Sequence, residues 1–459
     1  MQHLSEHSNS AGNDDAGTEN PDSTSEPESS DKPVHAPAHG SAAERAVIDV
    51  GVIIAGPFDP RMLRLARLGQ ARLAETLEAW FPRFAWRFEL LLRRDIDPRH
   101  LTESSQLLTL AAEEREARHW DAVVMLVEQD LVPHYRSYAL AALSRPLDAA
   151  LVSTARLAGE GIVDHGIGHN AMDNTDTTTF GSCDTATAET TIIDRIATLE
   201  LHAIAHLGGL AGARERHRLL FRPDSLADLD VMEHLEDAER EELDRAFGEI
   251  ADTRLEEMPA ETSATRSNVQ FVARAAMINR SELIDAVLAA RPWEFPLRLS
   301  RLSTAAVSTV VVLMMTAEAW DLALSQYRTT LLLLALITLG TTTAFVIHRQ
   351  QLLLGRQREL REQLVVSQLS AVLIVLAGLA ITWVLMLLLV LAGSMLLYSD
   401  ALIADWAASS RLSAADVGIG HSVTMALFCA SLGLLIGSLG ASFEDQFHFR
   451  HVIYVDEEL

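Results

Sequence analysis

The chain has 459 residues, of which 49% are hydrophobic and 22% charged, and its formal net charge at pH 7 is −26. Nucleic acid is not an expected partner of such an acidic chain, because the phosphate backbone would be repelled rather than neutralised. The two cysteines, Cys183 and Cys429, exclude a disulfide framework and a zinc site built from several thiolates.

Residues 1–45 consist mainly of Ser, Asp, Glu, Asn, Pro and Gly. Such a segment cannot bury enough apolar surface to offset the entropy lost on ordering, so it is predicted to be a disordered acidic tail. It also lacks the basic start and apolar centre of a secretory signal peptide.

Residues 46–250 alternate between short β-branched runs and segments of helical periodicity, which predicts an α/β domain. Residues 251–300 have a helical, arginine-bearing pattern and are predicted to connect this domain to the rest of the chain. The expected strands are 46–55, 87–92, 122–127 and 149–157, and the expected helices are 60–80, 102–118 and 188–211.

Residues 301–445 contain long apolar runs, and a helix needs roughly 20 apolar residues to cross the hydrocarbon core. The pattern predicts an all-α transmembrane bundle, followed by a tail at residues 446–459. The first span is the weakest, because it is rich in Ser and Thr and contains Glu318. The expected spans are about 302–320, 329–347, 369–398 and 421–443.

Arginine collects before the first span and between the second and third spans, whereas the other connections contain little of it. Cytoplasmic loops are enriched in Lys and Arg. With four spans, the α/β domain, the loop around residues 348–367 and the tail would all face the cytoplasm. The sequence therefore predicts a multi-pass protein of the cell membrane, in contact with lipid, with both termini cytoplasmic.

Ionisable groups are nearly absent inside the predicted spans. Transporters and channels usually have charged or polar groups at membrane depth, so this bundle is more typical of an anchor or an oligomerisation unit. Gly433, Gly437 and Gly440 offer a close-packing surface, and the first two have the small-xxx-small spacing that would suit a homo-oligomer.

His202 and His206 are four residues apart in an apolar helical segment. On a helix they lie on one face, one turn apart, which is the spacing that lets two imidazoles hold one zinc ion. Zinc hydrolases with this spacing have Glu after the first His as the general base. Here that position is Ala203.

Four segments together make the chain resemble the archaemetzincin family of metzincin metallopeptidases. They are VEQDLVPHY (127–135), VSTARL (152–157), HAIAHLGGLAG (202–212) and, more loosely, DVMEHLEDAEREELDRAF (230–247). The resemblance covers roughly residues 46–250 and does not reach the transmembrane part. It implies an α/β metzincin-like domain ahead of the helical bundle.

The resemblance also implies roles for single residues. Gly209 would be the turn glycine after the histidines, and Met232 would lie beneath the metal in a Met-turn. The family pattern is H-E-x-x-H-x-x-G-x-x-H, whereas this chain has Ala203 for the general base and Gly212 for the third His. What the resemblance implies is therefore this fold with a dismantled catalytic centre.

Other residues are candidates for the missing groups. Glu200 lies one helical turn before Ala203, and a third ligand could come from His217, or from His165 and His169 in a Gly-rich loop. Three interpretations stay open. The helix histidines are structural remnants, or they hold zinc without peptidase activity, or they belong to a hydrolase with substituted groups.

The favoured hypothesis is a membrane protein whose cytoplasmic metzincin-like domain is catalytically inactive and binds a protein or peptide partner. One alternative is a membrane-tethered zinc hydrolase with unusual ligands. Another is a regulatory or accessory part of a transport system, which the lack of charge inside the spans disfavours.

Overall fold

A computed structural model describes residues 45–96, 103–158, 182–233, 235–251, 258–259, 265–353, 359–360, 362–407, 413–443 and 445–459. The strands are β1 Ala46–Ala55, β2 Phe84–Arg93, β3 Ala122–Val127, β4 Ala141–Ser144, β5 Ala149–Ser153, β6 Met258–Pro259, β7 Glu359–Leu360 and β8 Glu457–Glu458. The helices are α1 Pro60–Trp80, α2 Ser104–Arg118, α3 Ser182–Leu207, α4 Leu226–Leu229, α5 Asp237–Ile250, α6 Thr265–Ile278, α7 Arg280–Ala289, α8 Phe295–Arg298, α9 Ser300–Met314, α10 Ala317–Ser325, α11 Arg328–Gln350, α12 Glu362–Leu397, α13 Asp400–Trp406, α14 Ile419–Ala441 and α15 Gln446–Tyr454. The chain thus has an N-terminal α/β sheet domain and a mostly helical C-terminal part.

The main sheet has six strands in the order β2-β1-β3-β5-β4-β8. The first four strands of this order are parallel, whereas β4 is antiparallel to both of its neighbours. Strands β1 and β3 are almost entirely buried, which explains their continuous apolar sequences, since helices cover both faces of a parallel sheet. The edge of the sheet at β4 is completed by β8, which comes from the far end of the chain.

The predicted strands and helices of this domain are found, although the ends of several differ: β2 begins at Phe84 rather than at 87, and α3 begins at Ser182 rather than at 188. The expected strand at 149–157 ends at Ser153, because residues 154–157 form a turn in which the Leu157 N–H donates to the Thr154 carbonyl. Strand β4 was not predicted, since its sequence AALS has neither alternation nor β-branched residues. Helix α3 ends at Leu207 rather than at 211, because Gly208 and Gly209 follow.

Among the helices that the structure describes, α11, α12 and α14 are long and apolar enough to cross a membrane, which is consistent with membrane association. The first predicted span is divided. Residues 302–320 fall on α9 and α10, which are separated by Met315 and Thr316. Helix α9 also follows the α7–α8 region at a bend of 56°, and the two together form a candidate broken span.

The small residues of α14 pack against α9. A Cβ atom added at Gly437 would lie 2.8 Å from the Cβ of Ala306, and one at Gly433 would lie 2.5 Å from Cγ2 of Val310. Only glycine allows the two helix backbones to approach so closely. This surface therefore joins two helices of the same chain, and the homo-oligomer stays a prediction.

Residues 445–459 connect the helical part with the sheet. Asp445 caps α15 by accepting a hydrogen bond from the Phe447 N–H at 3.0 Å. The apolar face of α15 is buried in one hydrophobic cluster with residues of α2 and α12. The Tyr454 hydroxyl donates to the Leu352 carbonyl just beyond α11, and Arg450 donates to the Gln351 carbonyl at 2.5 Å. The chain then enters β8.

Candidate histidine–carboxylate site

Helix α3 holds His202 and His206, and a glycine turn fixes where this helix ends. The Gly209 N–H donates to the His206 carbonyl at 3.0 Å, and the Leu210 N–H donates to the Ala205 carbonyl at 3.3 Å. This pair of bonds forms a Schellman motif, which needs a residue in the left-handed conformation. Gly209 has φ +97°, which glycine adopts without steric strain. Both histidines are buried, with exposed fractions of 0% and 5%.

His202 is oriented by the backbone. Its Nδ1 lies 2.7 Å from the carbonyl oxygen of Leu219, so Nδ1 carries the hydrogen and donates. Its buried Nε2 has no hydrogen-bond partner within the described part of the chain. Burial lowers the pKa of His202 to about 4, which keeps the ring neutral near pH 7.

His206 is held by two carboxylates from residues 456–457. Its Nε2 lies 3.0 Å from Oδ2 of Asp456, and its Nδ1 lies 2.9 Å from Oε2 of Glu457. Burial alone would lower the pKa of His206, but the charges and hydrogen bonds of the two carboxylates outweigh it and raise this pKa above its usual range. Both ring nitrogens thus face carboxylate oxygens, which favours the imidazolium form.

The carboxylates of Asp456, Glu457 and Glu458 are almost fully buried, and each one has basic or N–H partners. Asp456 lies 3.8 Å from Nε of Arg145 in addition to its bond with His206. Glu457 accepts from Arg222. Although burial would raise the pKa of Glu457, the hydrogen bond and charge of His206 lower it strongly.

Glu458 is held on the other face of β8. Its Oε1 lies 2.8 Å from Nε2 of His451 on α15. The backbone N–H groups of His134 and Tyr135 donate to its two oxygens at 3.2 and 3.0 Å. Three consecutive acidic residues are thus buried and individually compensated, as buried charges must be.

The described side chains around His202 and His206 do not make up a complete zinc site. A zinc site needs three or four converging nitrogen, sulfur or oxygen ligands. Among the residues that the structure describes, no group of three His, Cys, Asp or Glu side chains has metal-binding geometry. Within the described ranges, Nε2 of His202 has no hydrogen-bond partner, as in a metal ligand before the metal binds, but both nitrogens of His206 face carboxylates. A Cβ added at Gly212 would lie 3.8 Å from Oε1 of Glu457, so the Glu457 carboxylate borders the position of the missing third ligand.

The other predicted site residues lie elsewhere. His217 is on the surface, with 64% of its side chain exposed, and its Nε2 is 3.7 Å from Oε2 of Glu215. Met232 is fully buried in the hydrophobic cluster that also contains Ala203. His165 and His169 lie outside the described residues. The assignment of any of these residues to a metal, His202 and His206 included, stays a prediction.

Glu200 is the other polar group inside this helix. It is fully buried, and neither carboxylate oxygen has a hydrogen-bond partner in the described ranges. Burial raises its pKa to about 8, so the side chain is largely neutral at pH 7. A protonated carboxyl cannot act as a general base, which is the role that its position one turn before Ala203 suggested.

Asp456 and Glu457 are the residues of this candidate site that the sequence did not indicate. The sequence VDEEL after an apolar helix has the composition of a solvated tail. The partners that make it a buried strand lie more than 200 residues earlier, and the contact between His206 and Asp456 spans 250 residues. No local pattern reports such a pairing.

No protein-family model and no curated protein matches the chain. Among solved structures, it is similar to archaemetzincin from Methanopyrus kandleri, with 16% identity and a TM-score of 0.31, over 45% of this chain and 99% of that one. It is also similar to a zinc-dependent peptidase from Methanocorpusculum labreanum, with 17% identity and a TM-score of 0.29, over 42% of this chain and 99% of that one. Both likenesses cover less than half of the chain.

Proposed function

We propose that this chain is a multi-pass membrane protein whose α/β domain is a binding module without hydrolytic activity. The observation that carries the proposal is the engagement of both ring nitrogens of His206 by Asp456 and Glu457. A metal-dependent hydrolase needs an open coordination position for water and a base that can take its proton. Ala203 cannot supply the base, Glu200 is held neutral, and buried carboxylates surround the second histidine.

The first test measures zinc content and peptide hydrolysis of the full chain, purified in detergent. We expect far less than one zinc ion per chain and no cleavage of a mixed peptide library followed by mass spectrometry. The matched variants are His202→Ala, at the helix site, and His217→Ala, on the surface. Near-stoichiometric zinc with cleavage, both lost in His202→Ala and kept in His217→Ala, would mean that the domain is a zinc hydrolase.

The proposal includes four membrane crossings. Strand β8 pairs with β4, so residues 445–459 and the α/β domain must lie on the same side of a membrane. An even number of crossings must therefore separate them. Helices α11, α12 and α14 supply three, and the fourth is α9, which packs along α14. The exposed apolar side chains of α9, Val311 and Val312, would then face lipid.

Helix α9 has 15 residues and rises about 22 Å, which is short of the ~30 Å hydrocarbon core. The adjoining residues after its 56° bend would complete the crossing. Arginine in the connection between α11 and α12 supports a cytoplasmic location for this common side.

Reporter fusions test the number of crossings. A reporter active only in the cytoplasm should be active when it is fused before residue 45 and when it is inserted after Gln351, and inactive when inserted after Tyr327. A reporter after residue 459 should also be active. Activity at the first position and inactivity at the last would give an odd number of crossings and would contradict the arrangement of β8.

A further inference from the structure

The outer edge of β4 accepts a strand through main-chain hydrogen bonds. The Asp456 N–H donates to the Leu143 carbonyl at 3.1 Å, and the Leu459 N–H donates to the Ala141 carbonyl at 2.9 Å. In return, the Leu140 N–H donates to the Leu459 carbonyl at 2.5 Å. An open sheet edge is a general template for an extended peptide, and side-chain pockets then decide which peptide it takes.

The pockets beside this edge select carboxylates. On one side of β8, His206, Arg145 and Arg222 surround Asp456 and Glu457. On the other side, two backbone N–H groups and His451 receive Glu458. All three acidic side chains are nearly excluded from water. A neutral or basic residue in place of Asp456 or Glu457 would therefore leave His206 and Arg145 without their carboxylate partners. Leu459 follows them and is fully buried in the hydrophobic cluster beneath the sheet.

We propose that the β4 edge, with His206, Arg145, Arg222 and His451, is a receptor groove for an extended acidic peptide. The ligand class is three consecutive carboxylate residues followed by an aliphatic residue. Residues 456–459 fill the groove in cis, and a partner peptide of the same chemistry binds there when they are displaced. The inference rests on the proposed function, since a hydrolase would cleave such a peptide rather than hold it.

Residues 456–459 are attached to α15 and therefore compete with any free peptide for the groove. A segment tethered next to its own site has an effective concentration in the millimolar range. A free peptide therefore meets a groove that is mostly filled in the intact chain. Removing residues 456–459, or weakening their contacts, should therefore increase the affinity of the groove for a free acidic peptide.

The probe is the hexapeptide YVDEEL, copied from residues 454–459, acetylated and amidated so that its only carboxylates are side chains. Its matched control is YVNQQL. Binding is measured by fluorescence polarisation to the full chain in detergent and to two variants. One variant ends after Val455, and the other is Asp456→Asn/Glu457→Gln/Glu458→Gln.

We expect YVDEEL to bind the variants at least ten-fold more tightly than it binds the intact chain, and at least ten-fold more tightly than YVNQQL binds. Equal binding of the two peptides, or no binding to a variant that elutes as a folded protein, would overturn the inference. A measurement on the intact chain does not depend on the folding of a variant. Millimolar YVDEEL, but not YVNQQL, should accelerate deuterium exchange at the Leu459 amide, and unchanged exchange would also overturn the inference.

The two proposals fail in different ways. Cleavage of YVDEEL, seen by mass spectrometry, would contradict the non-hydrolytic function. An intact but unbound peptide would contradict only the receptor groove.

Discussion

Replacing His206 with alanine should lower the free energy of unfolding of the α/β domain by about 3–5 kcal/mol, because it leaves two buried carboxylates without their shared cation. The measurement is chemical unfolding in detergent, followed by tryptophan fluorescence. His217→Ala is the matched control, since this histidine is on the surface, and it should change the free energy by less than about 0.5 kcal/mol.

A compensating variant tests the cause of that loss. His206→Ala/Asp456→Asn/Glu457→Gln removes the two buried charges that lose His206 as a partner, and it should recover at least about 1 kcal/mol relative to His206→Ala. If the triple variant were less stable than the single one, the carboxylates would not be the partners that matter. Such a recovery would show that His206 stabilises the fold through its ion pairs with Asp456 and Glu457.

The penalty for losing His206 should depend on pH in a defined direction. The pKa of His206 is raised, so its contribution is complete below the ordinary value of 6.5 and is lost as pH rises through the folded value. The pKa of Glu457 is lowered, so its contribution is present above the ordinary value of 4.5 and is lost as pH falls through the folded value. The ion pair between His206 and Glu457 therefore stabilises the fold most between the two ordinary pKa values, 4.5 and 6.5.

Glu200→Gln should stabilise the protein at alkaline pH. The pKa of Glu200 is about 8 in the fold and 4.5 ordinarily, so the folded state holds a proton that the unfolded state releases. The contribution of Glu200 to the free energy of unfolding is complete below pH 4.5. It is lost as pH rises to about 8, which lowers the free energy of unfolding by about 3–5 kcal/mol. The variant lacks this loss, because glutamine does not titrate.

The comparison is made by measuring unfolding of wild type and Glu200→Gln at several pH values from 4.5 to 8.5. The advantage of the variant should grow steadily with pH and level off above pH 8. Glu78→Gln, at an exposed position of α1, should show no such trend. Parallel pH profiles for wild type and Glu200→Gln would mean that Glu200 is solvated.

Much of the α/β domain could be predicted, because most of its strands are buried and have continuous apolar sequences that indicate a strand. Strand β1 is ten residues of nearly continuous apolar character, and its predicted bounds are confirmed. Strand β4 is four residues without a β-branched side chain, and only its neighbours make it a strand. The apolar helices could be predicted from the length of their apolar segments. The break at Met315 and Thr316 could not, because it contains neither Gly nor Pro, the residues that usually indicate a helix end.

The site was predictable only in part. The four-residue spacing of His202 and His206 correctly placed both on one buried helix face. What surrounds them could not be predicted, because Asp456 and Glu457 approach from the other end of the chain. Charge patterning treats such residues as solvated unless a partner is known, and here the partner is a tertiary contact.

The position of β8 has a consequence for biosynthesis. Glu458 binds the backbone of His134, which is 324 residues earlier in the chain. A ribosome therefore releases the sheet with the β4 edge still open, and every candidate membrane helix is made before β8 exists. Contacts this distant in sequence form late and slowly. Under the proposed arrangement of four crossings, a chain with one helix left out of the membrane would have β4 and β8 on opposite sides, and its β4 edge would stay open and prone to aggregation.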